Sequence, residues 1–535
     1  MIGSAATVEW GTWMSTAGEL PSRDFSTIGD LISAHARERP QTSALIKDST
    51  QIDYAQLDQL MDRVAAGLQR RGLQAGDIIA ICAATSIEYC AVFLGALRAG
   101  VAVAPLAPSA TPESIASMVR DCDAKVFFLD SNVGCAIDNV ELPRALTRVA
   151  LDGYSSAGQP LQEWIASSGV TPLPVTIEPD SAFNIIYSSG TTGEPKGIVH
   201  SHRMRWMQLT GSIAANAFSS SSVTMVSTPL YSNTTLVSLL PTLGAGGCAV
   251  LMDRFDPAAF LALAERHRAT HAMLVPVQYR RIMAVPDFDR YDLSSFVRKA
   301  STSAPFEGKL KADVVRRWPG GLVEAYGLTE GGGVCFLDVR LHPDKLHTVG
   351  KPAPGHDIRL IDENGSEVLR GEVGEIVSHS PAIMNGYHKR PKQTAEAEWH
   401  DASGKRFIRT GDIGRFDEDG FLILMDRKKD MIISGGFNIY PSDLEAVLAR
   451  HGAVAEAAVV GVPSDRWGET PVAFVVLKSG HNDSSEALGE WVNSNVGKTQ
   501  RLSAVEIVPV LPRSAIGKVL KRELREQYVR RVVVE

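Results

Sequence analysis

The segment YSSGTTGEPKG, Tyr187 to Gly197, is where this 535-residue chain most plainly carries chemistry. A β-prone run, Asn184 to Tyr187, ends in a loop of small hydroxyl and glycine residues that holds one lysine. Glycines let backbone N–H groups close around an anion. Ser188, Ser189, Thr191 and Thr192 add hydroxyl donors, Gly190 and Gly193 leave room, and Lys196 adds a positive charge. Such a set suits a phosphate cradle. It is not the G-x-x-x-x-G-K-[ST] loop, because Gly197 follows the lysine. Taken alone, the same residues also suit an ordinary surface loop.

A phosphate cradle needs a rigid strand behind it, and the surrounding pattern supplies one. Leu57, Leu60, Met61, Val64, Ala65 and Leu68 recur at helical spacing and predict an amphipathic helix that Gly72 stops. Short apolar runs at 78–82, 101–103, 125–129, 183–187, 223–227 and 271–275 alternate with helical segments, such as the one near 88–98. Alternation of this kind predicts parallel βαβ units. The middle changes character. IRLIDENGSEVL and RFDEDGFLILMDR each place an Asn-Gly or Asp-Gly pair between extended runs, which predicts hairpins in a small antiparallel piece near 350–425. After Asp430 the pattern is α/β again. Ser442 and Glu445 read as a capping box, and 457–462 and 472–477 read as strands. A domain boundary is expected at Met425 to Asp430, and residues 1–25 read as a loosely tethered tail.

Composition excludes whole classes. Apolar residues are 44% and charged residues 21%, so the chain is globular, and its length calls for at least two domains. A net charge of −7 gives no electrostatic case for nucleic acid or an anionic membrane as main partner. The six cysteines contain no C-x-x-C pair, as in a reduced, cytoplasmic protein without structural zinc. The N-terminus lacks a basic region followed by an apolar run, so no signal peptide is expected. The uncharged stretch from Trp206 to Met252 is broken by serines, prolines and glycines, and predicts buried strands and loops rather than a membrane span.

The loop closely resembles the phosphate loop of the adenylate-forming superfamily, which includes acyl-CoA synthetases, luciferases and peptide-synthetase adenylation domains. Four more segments resemble that family's motifs in its order: YGLTE (Tyr326 to Glu330), RTGD (Arg409 to Asp412), DRKKDMIISGGFNIYP (Asp426 to Pro441) and PRSAIGKVLKREL (Pro512 to Leu524). The resemblance covers nearly all of the chain beyond the first 25 or so residues. It implies an α/β fold: a large N-terminal AMP-binding domain (26–426) of parallel-sheet subdomains plus a small β-barrel-like part, a hinge (427–430), and a small α+β C-terminal domain (431–535).

The resemblance also implies a reaction. A carboxylate attacks the α-phosphate of ATP, pyrophosphate leaves, and a thiol then displaces AMP. Neutralising the charge clash between acid and polyanion is the main catalytic task. By family position, the phosphate loop, with Ser188, Ser189, Gly190, Thr191, Thr192, Gly193 and Lys196, holds the β- and γ-phosphates. Glu330, with Thr191, is expected to coordinate Mg2+, as a carboxylate suits that ion. Thr329 contacts the α-phosphate. Asp412 and Arg427 hold the ribose. Tyr326 and the Ser303-Ala304-Pro305 turn sandwich adenine, with Glu324 and Ala325 alongside. Lys518 reaches the bridging oxygen and the attacking carboxylate in the first half-reaction only. Lys429 is the hinge about which the C-terminal domain rotates, and Gly435, Gly436 and Phe437 line the tunnel for coenzyme A.

The substrate segment STPLYSNTTL carries no acid, which disfavours amino-acid substrates. It has Tyr231-Ser232 where many aryl- and acyl-CoA ligases have an aromatic–histidine pair. An acyl pocket of Tyr231, Ser232, Asn233, Ser301, Gly327 and the triple glycine Gly331, Gly332 and Gly333 is uncharged and small. It points to a hydrophobic monocarboxylic acid, since a second charge would be costly to bury unpaired. Aromatic or phenylpropenoic acids and medium-to-long fatty acids both fit, the former slightly better. Coenzyme A is the expected thiol, since VPSDRWGETPVAFVV (Val462 to Val476) resembles the CoA-ligase pattern and no carrier domain is expected after Glu535. The alternatives are a standalone enzyme that loads a carrier-protein thiol, and a non-catalytic nucleotide binder. No nucleic-acid partner is expected, and the chain is expected to be a monomer or homodimer.

Overall fold

The computed structural model describes residues 16–188, 195–427, 430–434, 437–464, 467–497, 500–514 and 517–534. The predicted alternation produces two large sheets. One runs Lys351–Pro352, Cys335–Asp338, Gly321–Tyr326, Arg298–Ser301, His271–Leu274, Val223–Val226, Cys248–Leu251, Ser43–Lys47, Thr50–Asp53, and its middle is parallel. The other runs Gly386–Tyr387, Lys196–Ser201, Ala182–Ser188, Ala102–Pro105, Ile78–Cys82, Val126–Leu129, Thr147–Ala150, Gln159–Pro160.

Helices fill the space between them. The helix Tyr54–Arg70 starts on a true capping box, Asp53 with Gln56, and buries Leu57, Met61, Val64 and Leu68 completely or nearly so. Burial of each such side chain stabilises by about 1.5–3 kcal/mol. One apolar core joins this stripe to both sheets and to the helix Asn233–Gly244. The uncharged stretch 206–252 therefore supplies strands and a helix to the core, apart from an exposed segment around 211–221, and among the described residues no helix is long and apolar enough to cross a membrane.

The antiparallel piece is a third sheet, Asp357–Ile361, Gly374–His379, Arg406–Phe416, Glu398–His400, with Leu422–Arg427 on the same long strand. The Asp419–Gly420 hairpin forms as expected, with Phe416 opposite Leu422. The Asn364–Gly365 hairpin does not extend: its second arm makes one bridge, Ile361 to Glu367, and Asp357–Ile361 pairs with Gly374–His379 instead. The six-residue strand Gly374–His379 outcompetes the local return because it offers five paired positions.

A fourth sheet takes its strands from residue 432 onward: Phe437–Ile439, Ile432–Ser434, Gly468–Leu477, Val454–Ser464, with Ala504–Ile507 on Gly468–Leu477. Two sequence expectations change here and at the N-terminus. The helix Pro441–Leu448 begins one residue before Ser442, so the serine is not the cap; Glu445 instead accepts from Val459 N (2.8 Å) and pairs with Lys521 (2.8 Å). Residues 16–25 are docked, not loosely tethered: Leu20 is buried, Ala17 N donates to Glu38 (2.7 Å), and the Trp206 indole donates to Arg23 O (3.2 Å).

Candidate active site

The phosphate-loop segment is a hairpin. Ala182–Ser188 and Lys196–Ser201 are antiparallel, so Ser188 sits opposite Lys196 across its neck. The expected loop residues Ser189, Gly190, Thr191, Thr192 and Gly193 lie outside the described residues. The Lys196 ammonium lies 5.2 Å above the Tyr387 ring, and the Tyr387 hydroxyl donates to Glu330 Oε1 at 2.9 Å. A cation and a carboxylate thus meet across one aromatic ring. Burial, with Glu330 beside it, raises the Tyr387 hydroxyl's pKa, so it remains a donor. Nothing in the sequence singled out Tyr387; only the pairing of its two-residue strand with Lys196–Ser201 brings it here.

The segment that holds Glu330 follows directly from a strand of the first sheet. Gly321–Tyr326 ends, and Tyr326 donates its hydroxyl to Asp412 Oδ2 at 2.8 Å. Burial and that carboxylate push the Tyr326 pKa well up. Asp412 is buried and stands opposite Arg427 in the third sheet's ladder, so the two expected ribose residues are cross-strand neighbours. Beyond Tyr326 the loop is pinned on several sides. His200 Nε2 bonds Thr329 O at 2.6 Å, and Met384 N bonds Glu330 O at 2.9 Å.

Ala325 pairs with Phe336 in the sheet. Glu324 behaves differently from its neighbours. Its carboxylate is buried and ion-paired with Lys311, with its pKa pushed up to about 7 by burial against the pull of that lysine. Its side chain is therefore engaged in the interior, and what it can offer a nucleotide is its backbone.

The Ser303-Ala304-Pro305 turn carries backbone strain. Ser303 has φ of +77°, and its hydroxyl meets Thr234 Oγ1 at 2.8 Å. A non-glycine residue held there costs about 1–3 kcal/mol. The bond ties the turn to the first turn of Asn233–Gly244, which Ser232 caps through Thr234 N. Asn233 accepts from Arg205 (2.8 Å), and half-buried Tyr231 is bonded to Ser109, burial raising its pKa. Ser301 is fully buried with a hydroxyl that has no hydrogen-bond partner among the described residues.

Gly327 is exposed, at the loop's entry. The triple glycine corrects the sequence reading. A Cβ on Gly331 would lie 2.1 Å from Ala382 O, on Gly332 2.5 Å from Ser378 Oγ, and on Gly333 2.7 Å from Ile358 Cγ1. The space vacated by these side chains is filled by Ala382 and Met204 at Gly331 and by the third sheet at Gly332 and Gly333, not left open for a substrate. Gly332 also has φ of +84°. The glycines let the loop lie against that sheet.

Phe437 begins a strand of the fourth sheet, whereas Lys429, Gly435, Gly436 and the side chain of Arg427 lie outside the described residues. Lys518 sits on a tight turn: Ser514 N bonds Lys518 O (2.8 Å), Lys518 N bonds Ser514 Oγ (3.2 Å), and Arg513 pairs with Val519. Arg513 donates to Gly517 O (2.8 Å) and to Glu456 (2.7 Å). Glu456 also pairs with Arg280 of the helix Pro276–Met283 (3.0 Å), and Arg280 with Glu307 (2.6 Å). The same helix meets the turn directly, since a Cβ on Gly517 would lie 2.6 Å from Val277. The lysine turn is thereby docked against the first sheet's layer. Among the described residues no three His, Cys, Asp or Glu side chains cluster as a metal site.

Comparison with known proteins gives a consistent set. A family model described as AMP-binding enzyme matches residues 32–388, and one described as AMP-binding enzyme C-terminal domain matches 443–518. The chain is 33% identical to a feruloyl-CoA synthase of Amycolatopsis sp over 498 residues, 92% of this chain and 97% of that protein. It is 30% identical to the fatty acid–[acyl-carrier-protein] ligase ScoC of Streptomyces coeruleorubidus over 514 residues, 94% and 97%. The solved structure of ATP-bound MatB from Rhodopseudomonas palustris superposes with a TM-score of 0.80 at 28% identity, covering 94% of this chain and 99% of that one.

Proposed function

We propose, from the premise that this chain belongs to the AMP-binding enzyme family and is an AMP-forming acid–CoA ligase, that its substrate is a hydrophobic monocarboxylic acid, aromatic or phenylpropenoic such as a hydroxycinnamate in the first place. Likeness to a feruloyl-CoA synthase supports that choice; medium- or long-chain fatty acids are the other members of the same class. With the triple glycine filled by protein, pocket shape no longer favours one over the other.

The observation that carries the mechanism is the convergence on one loop of Lys196, Tyr387, Glu330 and Thr329, with Tyr326 and Asp412 at its root. In the first half-reaction a substrate carboxylate oxygen bonds to the α-phosphorus of ATP, and the bond to the bridging oxygen breaks to release pyrophosphate. Lys196 screens the outer phosphates and Thr329 the α-phosphate, while Asp412 accepts from the ribose hydroxyls and Arg427 donates to the same sugar. Tyr326 holds Asp412 and stacks on adenine against the 303–305 turn. Lys518, carried on its braced turn, screens the clash between acid and triphosphate. In the second half-reaction the thiolate of coenzyme A attacks the acyl carbonyl and AMP leaves, after the C-terminal lobe turns about 427–430. Glu330, a carboxylate across the Tyr387 ring from Lys196, would hold Mg2+ with its hard oxygens, and the ion would supply charge neutralisation when bound.

The test is a panel of about thirty carboxylic acids read by pyrophosphate release, followed by CoA consumption with the active acid. Lys518→Ala abolishes acid-dependent pyrophosphate exchange but spares thioester formation from supplied acyl-adenylate. An equal fall in both halves refutes the role given to the lysine. One observation favours a second reading, the likeness to an acyl-carrier-protein ligase. Adenylate formation without CoA turnover, competed by a carrier thiol, would establish it.

A further inference from the structure

A string of buried polar side chains links the acid-pocket helix to the nucleotide loop. Arg205, in the helix His202–Asn216, is buried, with partners that are all neutral. Its Nε donates to Asn184 Oδ1 (2.9 Å), its Nη1 to Gln208 (2.9 Å) and Asn233 (2.8 Å), and its Nη2 to His200 Nδ1 (2.7 Å). His200, fully buried at the end of Lys196–Ser201, reaches Thr329 O with its other ring nitrogen (2.6 Å).

Chemistry fixes the ring proton of His200. A guanidinium only donates, so His200 Nδ1 must accept. The ring proton therefore sits on Nε2, aimed at the Thr329 carbonyl. Burial and the Arg205 charge both hold the imidazole neutral, so that tautomer persists. At the other end Asn233 is the first residue of its helix, the helix whose next residue is tied to the Ser303 turn. A buried cation without a counter-charge is expensive, and it persists where it organises its surroundings.

We propose that Arg205 and His200 are positioning residues for adenylate formation: they touch neither substrate, and they hold the start of the acid-pocket helix in register with the Thr329–Glu330 loop. This rests on the ligase reading above. The guanidinium sets the His200 tautomer, His200 fixes the Thr329 carbonyl, and the position of Thr329 determines whether the α-phosphate meets an acid seated beside Asn233. Misregister of this kind slows the chemical step more than it weakens either ground-state complex.

Two measurements on the full chain test it. The first needs no substrate: amide hydrogen exchange over 327–333. His200→Leu and Arg205→Met are expected to speed exchange in that segment at least ten-fold. His200→Gln, whose amide nitrogen replaces Nε2 as donor, stays within three-fold of the unsubstituted chain and covers the case in which a leucine variant misfolds. The second is pyrophosphate exchange with an active acid. His200→Leu lowers kcat 10- to 50-fold with KM for ATP within two-fold, His200→Gln restores kcat to within three-fold, and the double variant Arg205→Met/His200→Leu falls no further than either single one. Unchanged amide exchange in His200→Leu overturns the proposal, as does failure of folded His200→Gln to restore kcat, or additivity in the double variant. Absence of acid-dependent exchange in the unsubstituted chain would instead defeat the ligase reading, leaving the amide measurement to decide this one.

Discussion

Glu456→Gln is the substitution that most directly probes the docking of the lysine turn. Glu456 ties Arg513, which braces the turn, to Arg280, on a helix of the first sheet's layer. Of the two ties Glu456 makes, the one to Arg280 crosses from the fourth sheet to the first sheet's layer, so its loss shifts the balance of docked and undocked orientations. Two unit charges about 4 Å apart attract by ~1–4 kcal/mol at effective dielectrics of 80 to 20. The side chains are 39% and 27% exposed, so screening and lost side-chain entropy reduce the net to about 0.5–1.5 kcal/mol. That corresponds to a roughly 2- to 13-fold drop in the ratio of docked to undocked chain. Acid-dependent pyrophosphate exchange is expected to fall by up to that factor, while thioester formation from supplied acyl-adenylate holds or rises. Stopped-flow measurement of each half separates them. Arg280→Gln should match it, and the double variant should lose no more than either alone. Equal loss in both halves, or additive losses, would refute the latch. Insensitivity of the effect to salt would count equally against it.

Stability is expected to fall on the acid side of neutrality. Burial lowers the His202 pKa to about 4, and lowers His35, His200 and His271 in the same direction. Below pH 6.5 the unfolded chain takes up protons that the folded one refuses, so the stability present above 6.5 is lost as pH falls toward 4. For His202 alone that is about 3 kcal/mol. Melting temperature measured from pH 7.5 to 5 should drop steadily, and His202→Gln should flatten the slope; an unchanged slope contradicts the assignment. Gly332→Ala should destabilise by about 2–4 kcal/mol in urea, from left-handed backbone strain and a Cβ 2.5 Å from Ser378 Oγ. A stable variant with altered acid preference would return the triple glycine to the substrate pocket.

Much of this molecule is legible in its sequence because the relevant forces are local. The strand at 78–82 and the helix around Leu57 to Leu68 follow from apolar periodicity, which needs no partner to be read. The tail and the Ser442 cap misread because short segments near element ends are decided by what they pack against: Leu20 finds an apolar site, and Pro441 begins its helix a residue early. The triple glycine looked like vacant space, since a sequence cannot say which side of a glycine faces protein.

What the sequence by itself determined is the chemical inventory and the order of elements: a glycine- and hydroxyl-rich loop with Lys196, the segment ending in Thr329 and Glu330, Asp412 in its strand, and Lys518 near the end. What only the tertiary structure decided is which groups face one another. Tyr387 is 57 residues from the Glu330 it bonds, and Thr329 is 129 residues from the His200 that holds its carbonyl. Those bonds exist because strand pairing and core packing close long loops at an entropic cost repaid only by the whole fold, so no local pattern encodes them.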